Sequence, residues 1–100
     1  MSAVNHMVIV KLKLSVSEEV VSAVMQSLVD LKQSCPGIRS ISHGKYSSPE
    51  GLNKGFDYGF NVVFESMEDR NIYLDHPSHE NVKNALIAII DDVVAFDYVI

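Results

Sequence analysis

Eight consecutive residues, Tyr73-Leu74-Asp75-His76-Pro77-Ser78-His79-Glu80, hold a phenol, two imidazoles, two carboxylates and a proline. These are the groups of acid–base chemistry. An imidazole takes and returns protons near neutral pH, and a tyrosine hydroxyl can donate to an oxygen that is gaining negative charge. Two of the chain's four histidines fall here. Pro77 lacks a backbone donor and restricts His76 to extended conformations, so it suits the first turn of a helix. The stretch therefore reads as a short helix ending near Asp75, a break, and a longer helix from Pro77. Such a joint aims side chains differently from a straight helix, and Tyr73 and His79 can then face one cavity. The alternative is that His76 caps a helix and His79 is a solvated side chain in its first turn. Asp75, His76, His79 and Glu80 also have the donor types of a metal cluster. Compact zinc sites on helices, however, place two histidines four apart on an unbroken helix. Here they are three apart across a helix start, so no metal site is expected, and acid–base chemistry of this kind requires no organic cofactor.

The elements that must position this stretch follow from periodicity. Asn5 to Leu14 alternates, with His6, Val8, Val10, Leu12 and Leu14 on one face and Met7, Ile9, Lys11 and Lys13 on the other. Ser15 or Ser17 caps a helix whose first turn carries Glu18 and Glu19. Val21, Val24, Leu28 and Leu31 recur along it at helical spacing, and Pro36-Gly37 ends the region. Ile38 to Tyr46 is a second strand in which Gly44 signals a bulge or a close backbone approach. Ser47 to Lys54 is a polar loop whose glycines are too few to cradle a phosphate. Phe56 to Glu65 is the third strand, with Tyr58, Phe60, Val62 and Phe64 sharing a face. Ser66 caps the helix that leads to the His-Pro joint. Asp91-Asp92 is read as the end of the helix that starts at Pro77, and Val93 to Ile100 as the last strand.

The order β-α-β-β-α-β predicts an α+β, ferredoxin-like fold: a four-stranded antiparallel sheet with its helices on one face. Met7, Ile9, Val63, Ala95 and Val99 are assigned to the other face, which is too apolar to leave wet. The simplest cover is a second copy about a two-fold axis, giving a homodimer and a dimeric α/β barrel. His6 and Tyr58 sit near the starts of two central strands, on the helix-facing side. They are thus expected beside Tyr73 and His79.

Composition bounds the partners. One hundred residues, 47% of them hydrophobic, make a single domain spanning 1–100. A net charge of −5 with scattered Lys and Arg argues against nucleic acid. Cys35 has no second cysteine to pair with, which fits a reducing, cytoplasmic setting and a small apolar role. No apolar run approaches the roughly 18 residues of a membrane span, and no secretory leader is evident.

Over nearly its whole length the chain resembles the stress-responsive dimeric A/B barrel family. The matching residues are His6 to Lys13, Gly44-Lys45, Gly55-Phe56-Asp57-Tyr58, Val63-Phe64-Glu65-Ser66 and Phe96-Asp97-Tyr98, with Tyr73-x-x-His76-Pro77-x-His79 as the signature. That family includes plant heat-stable stress proteins and a plant polyketide cyclase. The resemblance implies catalytic roles for Tyr73 and His79. It implies a ligand-lining role for His6, with His76 and Tyr58 also at the binding site. Tyr58 stands where the cyclase has a further histidine, so its substrate does not carry over. The implied activity is a cofactor-independent cyclase or lyase acting on a polyketide-like small molecule. The alternatives are a stress-responsive binding or structural protein without turnover, and a cofactor-independent monooxygenase of the related barrel superfamily, whose members usually lack the His-Pro run.

Overall fold

Alternation decides the central strand. In β1 (Val4–Leu12), Val4, His6, Val8 and Val10 are buried, whereas Met7 and Ile9 on the opposite face are each 40% exposed. The buried side meets α1 (Glu18–Ser34), where Ser17 is the cap and its hydroxyl accepts the Val20 N–H at 3.2 Å. Val21, Val24, Met25, Leu28 and Leu31 form the buried stripe of this helix. The computed structural model describes residues 2–100.

The remaining elements are β2 (Ile38–Lys45), β3 (Tyr58–Phe64), α2 (Met67–Asp75), α3 (Pro77–Ile87) and β4 (Ile90–Val99). The strands form one sheet in the order β2-β3-β1-β4, and every neighbouring pair is antiparallel. This is the ferredoxin-like arrangement read from the sequence, with a break between its second-half helices. Val62 and Phe64 of β3 join Val4, Met25, Leu28, Leu31 and Tyr73 in the core between sheet and helices. Ser66 caps α2, its hydroxyl accepting the Asp69 N–H at 3.2 Å. Among the described residues no helix is long and apolar enough to cross a membrane.

Three sequence readings need correction. Directly opposed residues of antiparallel strands share a face, and Ala95 and Val99 oppose Val8 and Val4. Both therefore lie on the helix side, and the open face of β4 is Val94, Phe96 and Tyr98, opposite Ile9, Met7 and Asn5. Asp91 and Asp92 do not end the helix. They lie inside β4, where Asp92 pairs with Lys11 and both carboxylates are exposed. Gly44 is not a bulge and nothing crowds its position. The irregularity in β2 falls between Ile38 and Ser40.

Candidate active site

Tyr73 lies in the last turn of α2 and His79 in the first turn of α3. On a continuous helix, six positions would separate them by about 9 Å of rise and about 120° of rotation. The chain instead turns at His76, whose extended backbone (φ −73°, ψ 135°) closes α2 and caps α3 at once. Its Nδ1 accepts the Ser78 N–H at 3.1 Å, and Pro77 occupies the first helical position, where its missing donor costs nothing. The turn brings the rings of Tyr73 and His79 to 4.4 Å between centroids.

Tyr73 is 1% exposed. Phe64 lies against it at 4.9 Å and His6 edge-on at 6.2 Å. Burial pushes its phenol well above the ordinary range, with a small further contribution from Cys35, so it stays protonated and acts as a donor. Burial moves His79 the other way, below the ordinary histidine value. The Leu74 backbone and Glu80 oppose that shift, while positive charge on His6 or Lys83 adds to it. The imidazole is thus held as the neutral base. Its Nδ1 is buried without a hydrogen-bond partner among the described residues.

Both rings line a cavity of about 230 Å³ between sheet and helices. The sheet contributes His6, Val8, Phe60 and Ala95; α1 contributes Leu28; the α2–α3 unit adds Leu74, Val82, Lys83 and Leu86. The walls are apolar apart from the two imidazoles, the phenol and Lys83. An apolar chamber with a few converging polar groups has the character of a small-molecule site.

The other sequence candidates divide. His6 is 8% exposed and lines the cavity. His76 is the helix cap and is not part of the cavity wall. Tyr58 does not join the group. The starts of β1 and β3 lie at opposite ends of an antiparallel pair, so Tyr58 opposes Val10 while His6 opposes Val62. Four steps along β1 separate them, about 13 Å at the usual strand rise. Tyr58 instead bonds through its hydroxyl to His43 Nδ1 at 2.8 Å and lines a second cavity of about 590 Å³ with Leu12, Val16, Val21 and Lys45.

Two residues that sequence reasoning did not single out complete the site. Asp97 Oδ1 lies 2.6 Å from His6 Nδ1, and its Oδ2 accepts from Arg70 of α2 at 2.8 Å. The signal for Asp97 was its alternation with Val93, Ala95 and Val99, a lone carboxylate on an apolar strand face. Arg70 left no signal, because an arginine on a helix is ordinarily solvated. No group of three or more His, Cys, Asp or Glu among the described residues is placed to hold a metal ion.

The family model described as Stress responsive A/B Barrel Domain matches residues 4–100. Olivetolic acid cyclase from Cannabis sativa is 25% identical over 96 residues, covering 96% of this chain and 95% of the cyclase. The stress-response A/B barrel domain-containing protein HS1 from Arabidopsis thaliana is 27% identical over 95 residues, covering 95% and 87%. Among solved structures, the At3g17210 protein from Arabidopsis thaliana superposes with a TM-score of 0.90 at 27% identity, covering 95% of this chain and 92% of that one. A dimeric ferredoxin-like protein of unknown function from Thermobifida fusca has a TM-score of 0.81 at 20% identity, covering 99% and 92%, a likeness of fold.

Proposed function

The chain belongs to the stress-responsive A/B barrel family, and on that premise we propose that it is a cofactor-independent acid–base enzyme. Its reaction is an intramolecular aldol-type cyclisation, or related lyase chemistry, of a polyketide-like small molecule. The observation that carries this reading is the 4.4 Å pairing of Tyr73 with His79 in the wall of an apolar cavity. The cyclase relative supports it by name. His79 is the base. It takes a proton from a carbon between two carbonyls, and its lowered basicity leaves it unprotonated for that task at neutral pH. Tyr73 donates to the enolate oxygen as charge builds there. The carbanion then attacks a second carbonyl of the same molecule, forming the new C–C bond. The resulting alkoxide recovers the proton from the His79 imidazolium, so no proton or electron is gained or lost overall. His6 lines the same chamber and contacts the substrate. The apolar walls exclude water and fold the flexible chain.

The functional assembly is a homodimer. Met7, Ile9, Val94, Phe96 and Tyr98 form an exposed apolar face, and the Thermobifida fusca relative in fold is described as dimeric. Two such faces, related by a two-fold axis, cover each other.

The test supplies a linear poly-β-ketone and follows ring closure by chromatography with mass detection. The parent protein is expected to accelerate closure, Tyr73→Phe and His79→Ala to lower the rate by about 10² or more, and His76→Ala to leave it nearly unchanged. Ligand uptake with no change in closure rate would replace this reading with that of a binding protein without turnover. Equal activity in His79→Ala and the parent would remove His79 from the chemistry.

A further inference from the structure

We infer that Arg70 and Asp97 are a positioning pair that fixes the tautomer of His6, making its Nε2 a second proton acceptor in the cavity. Three elements meet in this contact. His6 comes from β1, Asp97 from the opposed position on β4, and Arg70 from α2. Their side chains are 10%, 24% and 20% exposed, so water competes weakly for their hydrogen bonds. The Asp97 carboxylate spans the gap, with Oδ1 2.6 Å from His6 Nδ1 and Oδ2 2.8 Å from an Arg70 terminal nitrogen.

The donor inventory settles the protons. A guanidinium only donates and a carboxylate only accepts. With Arg70 filling one oxygen, the other is left facing His6 Nδ1, which must carry the hydrogen. The lone pair of the neutral ring then sits on Nε2. Arg70 also balances the carboxylate's charge and sets its plane, so Asp97 cannot swing to another donor without breaking a second bond.

The consequence concerns the ligand. His6 and His79 both line the cavity with Tyr73 packed against each. His79 supplies an imidazole to the cavity wall and His6 an acceptor nitrogen, while Tyr73 supplies a donor. That set is complementary to a molecule bearing one acceptor oxygen and one O–H of its own, an enolised β-dicarbonyl or a phenol. The substrate class rests on the acid–base reading above. The tautomer does not, because it follows from the three side chains alone.

The experiment has two independent readouts. Long-range ¹H–¹⁵N spectra of the histidine rings, taken at about pH 8.5, above the ordinary histidine range, report the tautomer without any substrate. The parent is expected to show His6 with Nδ1 protonated. Asp97→Asn keeps the shape but can turn its amide NH₂ toward Nδ1, so the other tautomer should dominate. Arg70→Met should give a mixture, and Arg70→Lys should restore the parent state in part. Resorcinol, titrated by NMR, probes the ligand class. Its affinity should fall up to roughly tenfold in Asp97→Asn, one hydrogen bond's worth, with the His79 signals unshifted in the free protein. A parent His6 carrying its proton on Nε2 would overturn the inference. So would Arg70 and Asp97 variants that change the melting temperature but neither tautomer nor affinity, since that is the signature of a structural tie. The expected tautomers with no resorcinol binding in the parent would overturn the ligand class and count against the proposed function, leaving the positioning pair in place.

Discussion

Replacing Phe96 with aspartate should convert the dimer to a monomer while leaving the subunit folded. Phe96 lies on the open face opposite Met7 and is 65% exposed in the isolated subunit. An aromatic side chain buries roughly 200 Å² when fully covered, so about 130 Å² remains to be covered by a partner. At about 25 cal/mol per Å² this is worth about 3 kcal/mol per copy, and a two-fold interface counts it twice. The resulting ~6 kcal/mol corresponds to about four decades in the dissociation constant. Interfaces return less than area predicts, because association also costs ordering of the faces, so a loss of at least about a hundredfold is the firm expectation. The aspartate adds the cost of a charge with no partner. Sedimentation equilibrium should give about twice the 11.1 kDa subunit mass for the parent and the single mass for Phe96→Asp at micromolar concentration. Circular dichroism should show the same secondary structure in both. A parent that is monomeric, or a variant that associates as well as the parent, would refute the paired-face argument.

Other expectations concern the site and its supports. His79 binds its proton less readily when folded than when unfolded, so the unfolded chain holds more protons below about pH 6.5. Its contribution to stability is therefore present above pH 6.5 and lost as pH falls toward the depressed folded value. Chemical denaturation between pH 7.5 and 5 should show that decline, and His79→Gln should flatten it. Gly37 has φ +88°, and a Cβ there would run into the Asp69 side chain at the start of α2. Gly37→Ala should cost about 1–3 kcal/mol and lower the melting temperature by at least about 5 °C. Cys35 is 1% exposed and burial raises its thiol above the ordinary range, so it should resist a thiol reagent until the protein unfolds.

Some of this architecture could be read from single letters. The alternation of His6, Val8 and Val10 against Met7 and Ile9 gave the inner and outer faces of β1, because only one phase leaves Lys11 and Lys13 outside. β4 offered no such contrast. Val93-Val94-Ala95-Phe96-Asp97-Tyr98-Val99 is apolar in both phases, and its one charged residue points inward to His6 rather than to solvent. Hydrophobicity alone thus could not place Ala95 in the cavity wall or Phe96 on the open face; the register with β1 does. The expected company of Tyr58 and His6 failed for a similar reason. Both stand near strand starts, but position along an antiparallel strand has meaning only once the partner's direction is counted. Tyr73 and His79 could be brought together on paper because proline imposes its constraint locally. Arg70 could not be anticipated, since its partner is distant in the chain.

The joint at His76 has an implication for how this stretch tolerates change. One residue serves as the end of α2 and the beginning of α3, with no slack between them. Substitution can alter the letters there at modest cost, but an insertion cannot be absorbed. A single residue added between Pro77 and His79 would advance the second helix by about 100°, carrying the imidazole away from Tyr73 while Val82 and Leu86 leave the cavity wall. What is held fixed here is a count. Beyond the His76-Pro77 pair that makes the turn, the segment between tyrosine and histidine can vary in its letters so long as its length is kept.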